Sequence, residues 1–178
     1  MLLLNKWFVV HDLLAYQQHP DLISNIAMKT RVMKPKFKNF GKIQQGDLIA
    51  YYATKDNIIV GVFKVTSEIY YLHQDPYWGD VMVFDIEPFK MPPKGKYLDF
   101  KKVVTDPDAH FDIFPAKNRW GTYIQGKTCL SLSEMDYSII ENAFSQEKFM
   151  RDINKIKISP TRWHKKYGKK NKFDDLKN

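Results

Sequence analysis

The fold is decided by two neighbouring stretches, Gln45-Gly-Asp-Leu-Ile-Ala-Tyr-Tyr-Ala53 and Ile58-Ile-Val-Gly-Val-Phe-Lys-Val-Thr-Ser67. Both are rich in β-branched and aromatic residues, which favour strands. Lys55-Asp-Asn57 between them is a tight-turn signal, so the two stretches predict a β-hairpin. Gly61, inside the second strand, indicates a bulge or a close approach of another backbone.

The sequence on either side of this hairpin predicts more strands and a few helices. The aromatic and β-branched run Lys6-Trp-Phe-Val-Val-His11 predicts a buried first strand, with Asp12 as the cap of a following helix. Leu132, Met135, Ile139 and their helical spacing predict a late helix, in which Ser133 and Asp136 form a capping box. Weaker patterns predict a helical piece at 21–27, a polar loop at 70–79, a strand at 81–87, a proline-containing connector at 88–95, a short helix at 98–104 and a last strand at 119–126.

Strands joined mainly by hairpins and loops exclude a doubly wound parallel sheet. About five strands with two or three helices therefore predict an α+β protein with an antiparallel or mixed sheet. The length of 178 residues indicates one domain. Hydrophobic residues make up 44% of the chain and aromatic residues 15%, which is enough for a real core.

The cysteine count and the apolar runs exclude several protein classes. Cys129 is the only cysteine, so there is no intrachain disulfide and no cysteine-based zinc site. The apolar stretch at residues 1–4 is too short for a signal peptide or a membrane span. We therefore expect a cytoplasmic protein with no membrane partner; the oligomeric state is not predicted.

The net charge of +8 is concentrated late in the sequence. Residues 151–178 contain ten Lys or Arg and three Asp, whereas residues 1–150 contain 18 basic and 17 acidic residues. We expect a nearly neutral domain at 1–147 and a basic tail at 148–178. Such a tail is typical of proteins that bind polyanions, although it can also serve only to keep a protein soluble.

Motifs of catalysis or metal binding are missing from the sequence. The five histidines show no HExxH or comparable ligand spacing, and no GxxxxGK[ST], GxGxxG or GxSxG segment occurs. Cys129 is better explained as a buried small hydrophobic residue than as a nucleophile. His73-Gln-Asp75 and His110-Phe-Asp112 are possible acid/base pairs, but such local pairs are common by chance. The sequence predicts no catalytic residue, no metal and no cofactor.

Several residues have the chemistry of a site that stacks a flat ligand. Tyr77-Trp78 follows a polar loop, and Arg119-Trp120 combines a guanidinium with an indole, a pair that can sandwich a base or clamp a phosphate. Trp120 can also simply close the core. His11-Asp12 ends a buried strand, where a sheet can present polar groups to a ligand, or it is a helix cap beside a half-buried histidine.

The order of these segments resembles a known family. The strand at Lys6–Val10, a helix, a basic loop, Gly46-Asp-Leu-Ile-Ala-Tyr-Tyr52, Ile59-Val-Gly-Val-Phe-Lys-Val-Thr-Ser-Glu68 and Tyr77-Trp78 are similar to the EVE domain of the PUA-like superfamily, over roughly residues 5–146. Asn118-Arg-Trp-Gly121, Gly126-Lys127 and the helix at 132–137 resemble small stand-alone EVE proteins of archaea and bacteria.

This resemblance implies a PUA-like pseudo-barrel, mixed or antiparallel and flanked by helices, whose cavity accepts a modified base. The related YTH domains hold a methylated adenine between aromatic side chains. By that analogy Trp78 is a wall of the cavity and Tyr77 lies beside it, while His11 and Asp12 line its floor. Further ligand-binding candidates are Thr30, Arg31, Tyr52, Arg119 and Trp120.

The leading hypothesis is a non-catalytic protein that binds RNA or DNA and recognises a methylated base. The sequence-independent attraction to phosphates would come from Lys34, Lys36, Lys38, Arg162, Lys165, Lys166, Lys169 and Lys170. Two alternatives stay open. One is an RNA-processing enzyme like some members of the related ASCH group, with His11, His73, His110 and Lys127 as the residues to mutate. The other is a module that binds a small molecule or a protein partner.

Overall fold

The computed structural model describes residues 3–25, 39–75 and 79–156. Within these ranges, nine strands form one curled mixed sheet that makes a half-barrel. The strands are β1 (Lys6–His11), β2 (Leu22–Asn25), β3 (Leu48–Ala53), β4 (Ile58–Val65), β5 (Tyr70–Asp75), β6 (Gly79–Lys90), β7 (Lys96–Asp99), β8 (Cys129–Ser131) and β9 (Met150–Asp152).

Four α-helices flank this sheet in the described part of the chain. They are α1 (Leu13–Gln18), α2 (Phe100–Thr105), α3 (Trp120–Ile124) and α4 (Glu134–Ala143). The expected α+β class with a mixed sheet is confirmed. None of the helices in the described ranges is long and apolar enough to cross a membrane.

The central strands have the order β2-β6-β4-β3-β1-β8, with β5 on β6, β7 on β4 and β9 on β7. β1 is parallel to β3 in the register Lys6↔Leu48 to His11↔Ala53, and antiparallel to β8 on its other edge. β3 and β4 form the predicted hairpin. Because β1 and β3 are parallel, their carboxyl ends meet at the same end of the sheet, where both predicted ligand residues His11 and Tyr52 lie.

The predicted irregularity at Gly61 is confirmed. The β3–β4 register shifts between Tyr51 and Tyr52, because Tyr51 pairs with Gly61 whereas Tyr52 pairs with Ile59. A Cβ atom on Gly61 would lie 2.4 Å from the Met91 sulfur. Glycine therefore serves both functions there, a bulge and a close approach.

The two faces of the sheet carry two separate cores. Phe8, Ala50 and Tyr52 belong to the outer core, which the helices α2 and α4 cover. Trp7, Val9 and Tyr51 belong to the inner core, inside the curl of the sheet. This division follows from the period of two along each strand, which sends successive side chains to opposite faces.

Several predicted elements differ from the observed ones. Residues 22–25 form a strand rather than a helix, and Tyr70–Asp75 form strand β5 rather than a loop. β6 extends through Pro88 into the predicted connector, and β7 precedes the short helix α2. The largest error is at 119–126, where the structure has helix α3 instead of the predicted last strand. The next strand is β8, which begins nine residues after the start of α3.

The late helix is confirmed together with its cap. The Ser133 hydroxyl accepts a hydrogen bond from the Asp136 backbone N–H at 3.1 Å, and the Asp136 carboxylate accepts one from the Ser133 N–H at 3.4 Å. The same carboxylate accepts from the Asp112 N–H at 2.6 Å, which ties the loop before α3 to α4.

Strand β9 lies beyond residue 147, where the sequence places the start of the basic tail, and pairs with β7.

Candidate functional site

The structure separates the predicted ligand residues by the two faces of the sheet. His11 lies on the inner face, where its ring stacks on Tyr51 at 5.6 Å between centroids. Tyr52 and Trp120 lie together on the outer face, with centroids 6.1 Å apart and rings at 85°. One pocket therefore does not contain all the candidates, although both groups lie at the carboxyl ends of β1 and β3.

His11 and Asp12 are both buried and held by local hydrogen bonds. The His11 Nδ1 atom accepts from the Asp12 backbone N–H at 3.1 Å, so the proton of the neutral ring is on Nε2. The Asp12 carboxylate accepts from the Ala15 N–H at 2.6 Å and caps α1. The predicted cap is thus confirmed, and His11 is fully buried rather than half-buried.

A side-chain contact joins the end of α1 to the end of β5. His19 Nε2 lies 2.9 Å from the carboxylate of Asp75, which is only 6% exposed. The possible acid/base pair of His73 and Asp75 is not formed, because Asp75 contacts His19 and His73 packs against the Tyr71 ring at 4.3 Å. Asp75 is the last described residue before Tyr77 and Trp78, so this contact lies next to them along the chain.

A cavity of about 400 Å³ opens on the outer face, between the ends of β1 and β3 and helix α3. Its volume is in the range of about 300–1,000 Å³ that is typical of small-ligand pockets. We call it the outer cavity and define it by Val10, Tyr52, Asn57, Trp120, Gln125 and Lys127, with Gly121 on the same side. No acidic residue lines it in the part of the chain that the structure describes.

The aromatic wall of the outer cavity is fixed by the core behind it. The Trp120 indole packs edge-on against Phe100 at 5.6 Å and against Phe114 at 6.3 Å. The Tyr52 ring is stacked on Phe8 at 5.0 Å. Both rings are therefore held in place before any ligand arrives, which reduces the entropy lost on binding. Arg119 is exposed and precedes α3, next to Trp120 in sequence.

The polar part of the outer cavity is built around a hydrogen bond between two side chains. The Tyr52 hydroxyl donates to Asn57 Oδ1 at 2.7 Å. Burial, and then the charge of Asp56, raises the pKa of Tyr52 far above its usual value, so the hydroxyl stays protonated at neutral pH. Because the Asn57 oxygen is occupied, its NH₂ group is the part left to donate to a ligand acceptor.

The ligand-binding prediction missed four polar residues of the outer cavity, Thr54, Asn57, Gln125 and Lys127. Gln125 and Lys127 are exposed and follow α3 directly, in the turn that contains Gly126 at φ +72°. The strand predicted at 119–126 concealed this turn, because it included Gln125 and Gly126. The Gly126-Lys127 pair was a usable signal, since a glycine followed by a lysine at the end of a helix often forms an exposed basic turn.

The residues of the enzymatic alternative are far from forming a common site. His11 is buried at the end of β1, His73 is exposed on β5, His110 lies in the loop before α3, and Lys127 borders the outer cavity. No group of three or more potential metal ligands occurs among the described residues. Cys129 is buried in β8, and burial raises the pKa of its thiol to about 12, which makes it a poor nucleophile.

Many of the predicted binding residues lie outside the described residues. They are Thr30, Arg31, Tyr77, Trp78 and the basic residues Lys34, Lys36, Lys38, Arg162, Lys165, Lys166, Lys169 and Lys170. Their roles remain predictions from the sequence.

Comparisons with solved structures find the same fold in proteins of very different sequence. Human THYN1, solved in complex with DNA that contains 5-methylcytosine, is 12% identical and superposes with a TM-score of 0.53, covering 80% of this chain and 99% of that one. The Pho92 YTH domain, solved in complex with m6A, is 10% identical with a TM-score of 0.52, covering 86% and 91%.

A third similar structure is a protein from Agrobacterium tumefaciens, 15% identical with a TM-score of 0.52, covering 79% of this chain and 93% of that one. No protein-family model and no curated protein sequence matches the chain. The likeness is therefore one of fold, and it extends over nearly the whole of each compared domain.

Proposed function

From the EVE-type, PUA-like fold of this domain, we propose that the protein binds nucleic acid and recognises a methylated base without altering it chemically. The observation that carries the proposal is the shared fold with THYN1 and the Pho92 YTH domain, both of which were solved with methylated nucleic acid. At 10–12% identity the fold alone does not transfer a ligand. The proposal therefore also needs a suitable site in this chain.

The described residues support a site at the carboxyl ends of β1 and β3. Tyr16, Tyr51 and His11 form a ring cluster there on the inner face, with Tyr16 and Tyr51 centroids 5.5 Å apart. The His19–Asp75 contact joins the end of β5 to the end of α1, and Trp78 follows β5 in the sequence. Trp78 remains the candidate wall that the sequence predicts.

The energies involved favour an aromatic site. A base that leaves its stack loses a few kcal/mol, and stacking on an aromatic side chain returns roughly 1–3 kcal/mol. Burying one methyl group contributes only about 0.8 kcal/mol, a few-fold preference. We therefore expect strong discrimination of a methylated base only where an aromatic wall encloses the methyl group.

The proposal is tested by fluorescence anisotropy at low salt with matched oligonucleotides. Each carries adenine, N6-methyladenine, cytosine or 5-methylcytosine at one position, in single-stranded or duplex form. We expect one methylated form to bind at least several-fold more tightly than its unmethylated partner. Trp78→Ala should reduce this preference to about twofold or less, because the methyl group then loses the wall that encloses it and only part of its burial is left.

Phe89→Ala is the matched control, since Phe89 is an exposed aromatic on β6, away from the carboxyl ends of β1 and β3. It should leave both affinity and preference unchanged. Equal binding of all oligonucleotides by the unaltered protein would overturn the proposal. Intact oligonucleotides after long incubation with divalent metals would at the same time speak against the enzymatic alternative.

A further inference from the structure

The outer cavity lies on the face of the sheet opposite to the site just proposed. Val10 and Tyr52 point into it, whereas their neighbours His11 and Tyr51 point to the inner face. The two regions are separated by the thickness of one sheet and share only its carboxyl-terminal end. The outer cavity is therefore a separate site, and a group bound there is not part of the methylated base at the inner face.

The shape and rigidity of the outer cavity suit a flat ring. The Tyr52 and Trp120 rings stand at 85° to each other and form a corner. A planar heterocycle can stack on the partly buried Trp120 ring, whereas the Tyr52 ring beside it is only 3% exposed and offers almost no face for stacking. Phe8, Phe100 and Phe114 hold these two rings from behind.

The polar groups suit a nucleotide better than a purely apolar ligand. Asn57 has its oxygen occupied by Tyr52 and offers N–H donors, which match the ring nitrogens and carbonyl oxygens of a nucleobase. Lys127 is exposed at the border of the same cavity and can neutralise a phosphate. The cavity lining contains no carboxylate, among the described residues, that would repel that phosphate.

Gly121 adds an independent observation. It lies within helix α3 and lines the cavity, yet a Cβ atom there would meet nothing within 4 Å. Core packing therefore does not require glycine at this position, and its backbone has no positive φ that would require it. A glycine is unfavourable within a helix, and the space it leaves belongs to the outer cavity.

We propose that the outer cavity binds a nucleobase of a nucleic-acid strand, stacked on the partly buried Trp120 indole beside Tyr52, with the adjoining phosphate on Lys127. It is a second base site, which a strand bound at the carboxyl end of the sheet can occupy with a nucleotide other than the methylated one. The placement of both nucleotides in one strand rests on the proposed function. The affinity of the outer cavity for a nucleotide is independent of it.

The experiment follows the Trp120 indole N–H signal by NMR in the full-length ¹⁵N-labelled protein, with the signal assigned from Trp120→Phe. The probes are AMP, CMP, adenosine, cytidine, ribose 5-phosphate and an unmethylated single-stranded oligonucleotide. We expect the nucleotides, the nucleosides and the oligonucleotide to shift the signal, and ribose 5-phosphate to leave it in place. The oligonucleotide should prevent any further shift by AMP.

Three variants locate the ligand. Gly121→Leu should lower the affinity for nucleotides and nucleosides more than tenfold, because the added side chain occupies the cavity. Lys127→Gln should weaken AMP about threefold and adenosine not at all, as expected for an exposed charge pair. Lys94→Gln, an exposed lysine on the connector before β7, is the matched control.

The proposal is overturned if no base-containing probe shifts the Trp120 signal, or if Gly121→Leu, with an unchanged circular dichroism spectrum, binds AMP normally. A cavity that takes AMP but not the oligonucleotide would be a small-molecule site, which also contradicts it. The methyl preference of the unaltered protein tests the proposed function separately. If the protein shows no methyl preference but AMP shifts the Trp120 signal, only the proposed function fails. If it shows the preference but no base-containing probe shifts the signal, only the outer-cavity proposal fails.

Discussion

Asp47 shows how one residue positions the functional end of the sheet. Its carboxylate is buried and accepts hydrogen bonds from the Asn5 N–H at 3.1 Å, the Gln44 N–H at 3.0 Å and the Trp7 indole at 2.9 Å. These bonds join β1 to the turn before β3. They thereby fix the parallel register that places His11 and Tyr52 at the same end of the sheet.

Asp47→Ala should destabilise the fold by about 3 kcal/mol, because three donors lose a charged acceptor and the buried indole N–H stays unsatisfied. Asp47→Asn should cost less, since one carbonyl oxygen remains. Urea denaturation followed by tryptophan fluorescence measures both. Asp108→Ala, at an exposed position, should stay within about 0.5 kcal/mol of the unaltered protein; a similar effect of the Asp47 and Asp108 variants would contradict this role.

The sequence predicted individual site residues but not which of them lie together. Tyr52 and Trp120 have the right chemistry, and the structure brings them into contact. Their separation from His11 depends on which face each strand residue takes, and that depends on the partner elements on each face. Asn57 was assigned to a turn, which is correct, but its hydrogen bond to Tyr52 depends on the conformation of that turn, with φ +55°.

Helix α3 is the element where local pattern and tertiary structure disagree most. The segment Arg119-Trp-Gly-Thr-Tyr-Ile-Gln125 is rich in residues that favour strands, so a strand was predicted. However, Trp120, Tyr123 and Ile124 are spaced i, i+3 and i+4, and all three pack on the outer core as one helix face. The helical period was present in the sequence, and burial of this face outweighed the strand propensity.

Gly121→Ala should raise the stability by about 0.5 kcal/mol, because alanine favours a helix over glycine and the new methyl group meets no atom. For a chain of this size that is an increase in Tm of about 1–2 °C. Differential scanning calorimetry measures it. A decrease in Tm would mean that the backbone at Gly121 is not helical, and would remove this residue from the argument for the outer cavity.

Strand β5 explains why some elements could not be predicted. An edge strand with both faces exposed has no alternation of apolar and polar residues, and Tyr70, Tyr71 and His73 are all exposed. The β3–β4 hairpin and helix α4 have strong local signals, a turn and a capping box, and both were predicted correctly. Prediction succeeded where neighbouring residues decide the structure and failed where distant partners do.

On the scale of the whole molecule, the order of weak motifs predicted the fold better than any single motif. The expected α+β fold with a mixed sheet is confirmed, and the compared structures have the same fold although they share only 10–15% of residues with this chain. What they share is the arrangement of strands. Many different sequences have the alternating apolar residues that this arrangement requires. The charge distribution is a property of the whole chain, with most of the excess positive charge after residue 150.

Replacing Arg162, Lys165, Lys166, Lys169 and Lys170 by glutamine should weaken binding to all oligonucleotides alike and leave the methyl preference unchanged. Neutral residues release no counterions, so the slope of log K against log salt should become shallower, by roughly 0.7–0.9 per lost phosphate contact. Anisotropy titrations at several salt concentrations measure it. The control replaces Lys94, Lys101 and Lys102, which are exposed in the described domain; an equal change in both variants would contradict a special role of the late basic residues.

The position of β1 between β3 and β8 also determines when the domain can fold during synthesis. β1 is made first, but its second edge stays open until Cys129–Ser131 leave the ribosome, and β7 likewise waits for Met150–Asp152. Contacts across more than a hundred residues form slowly. The nascent chain therefore carries an unprotected strand edge, Lys6–His11, until these later strands have been made, and such an edge can pair with other chains in the meantime.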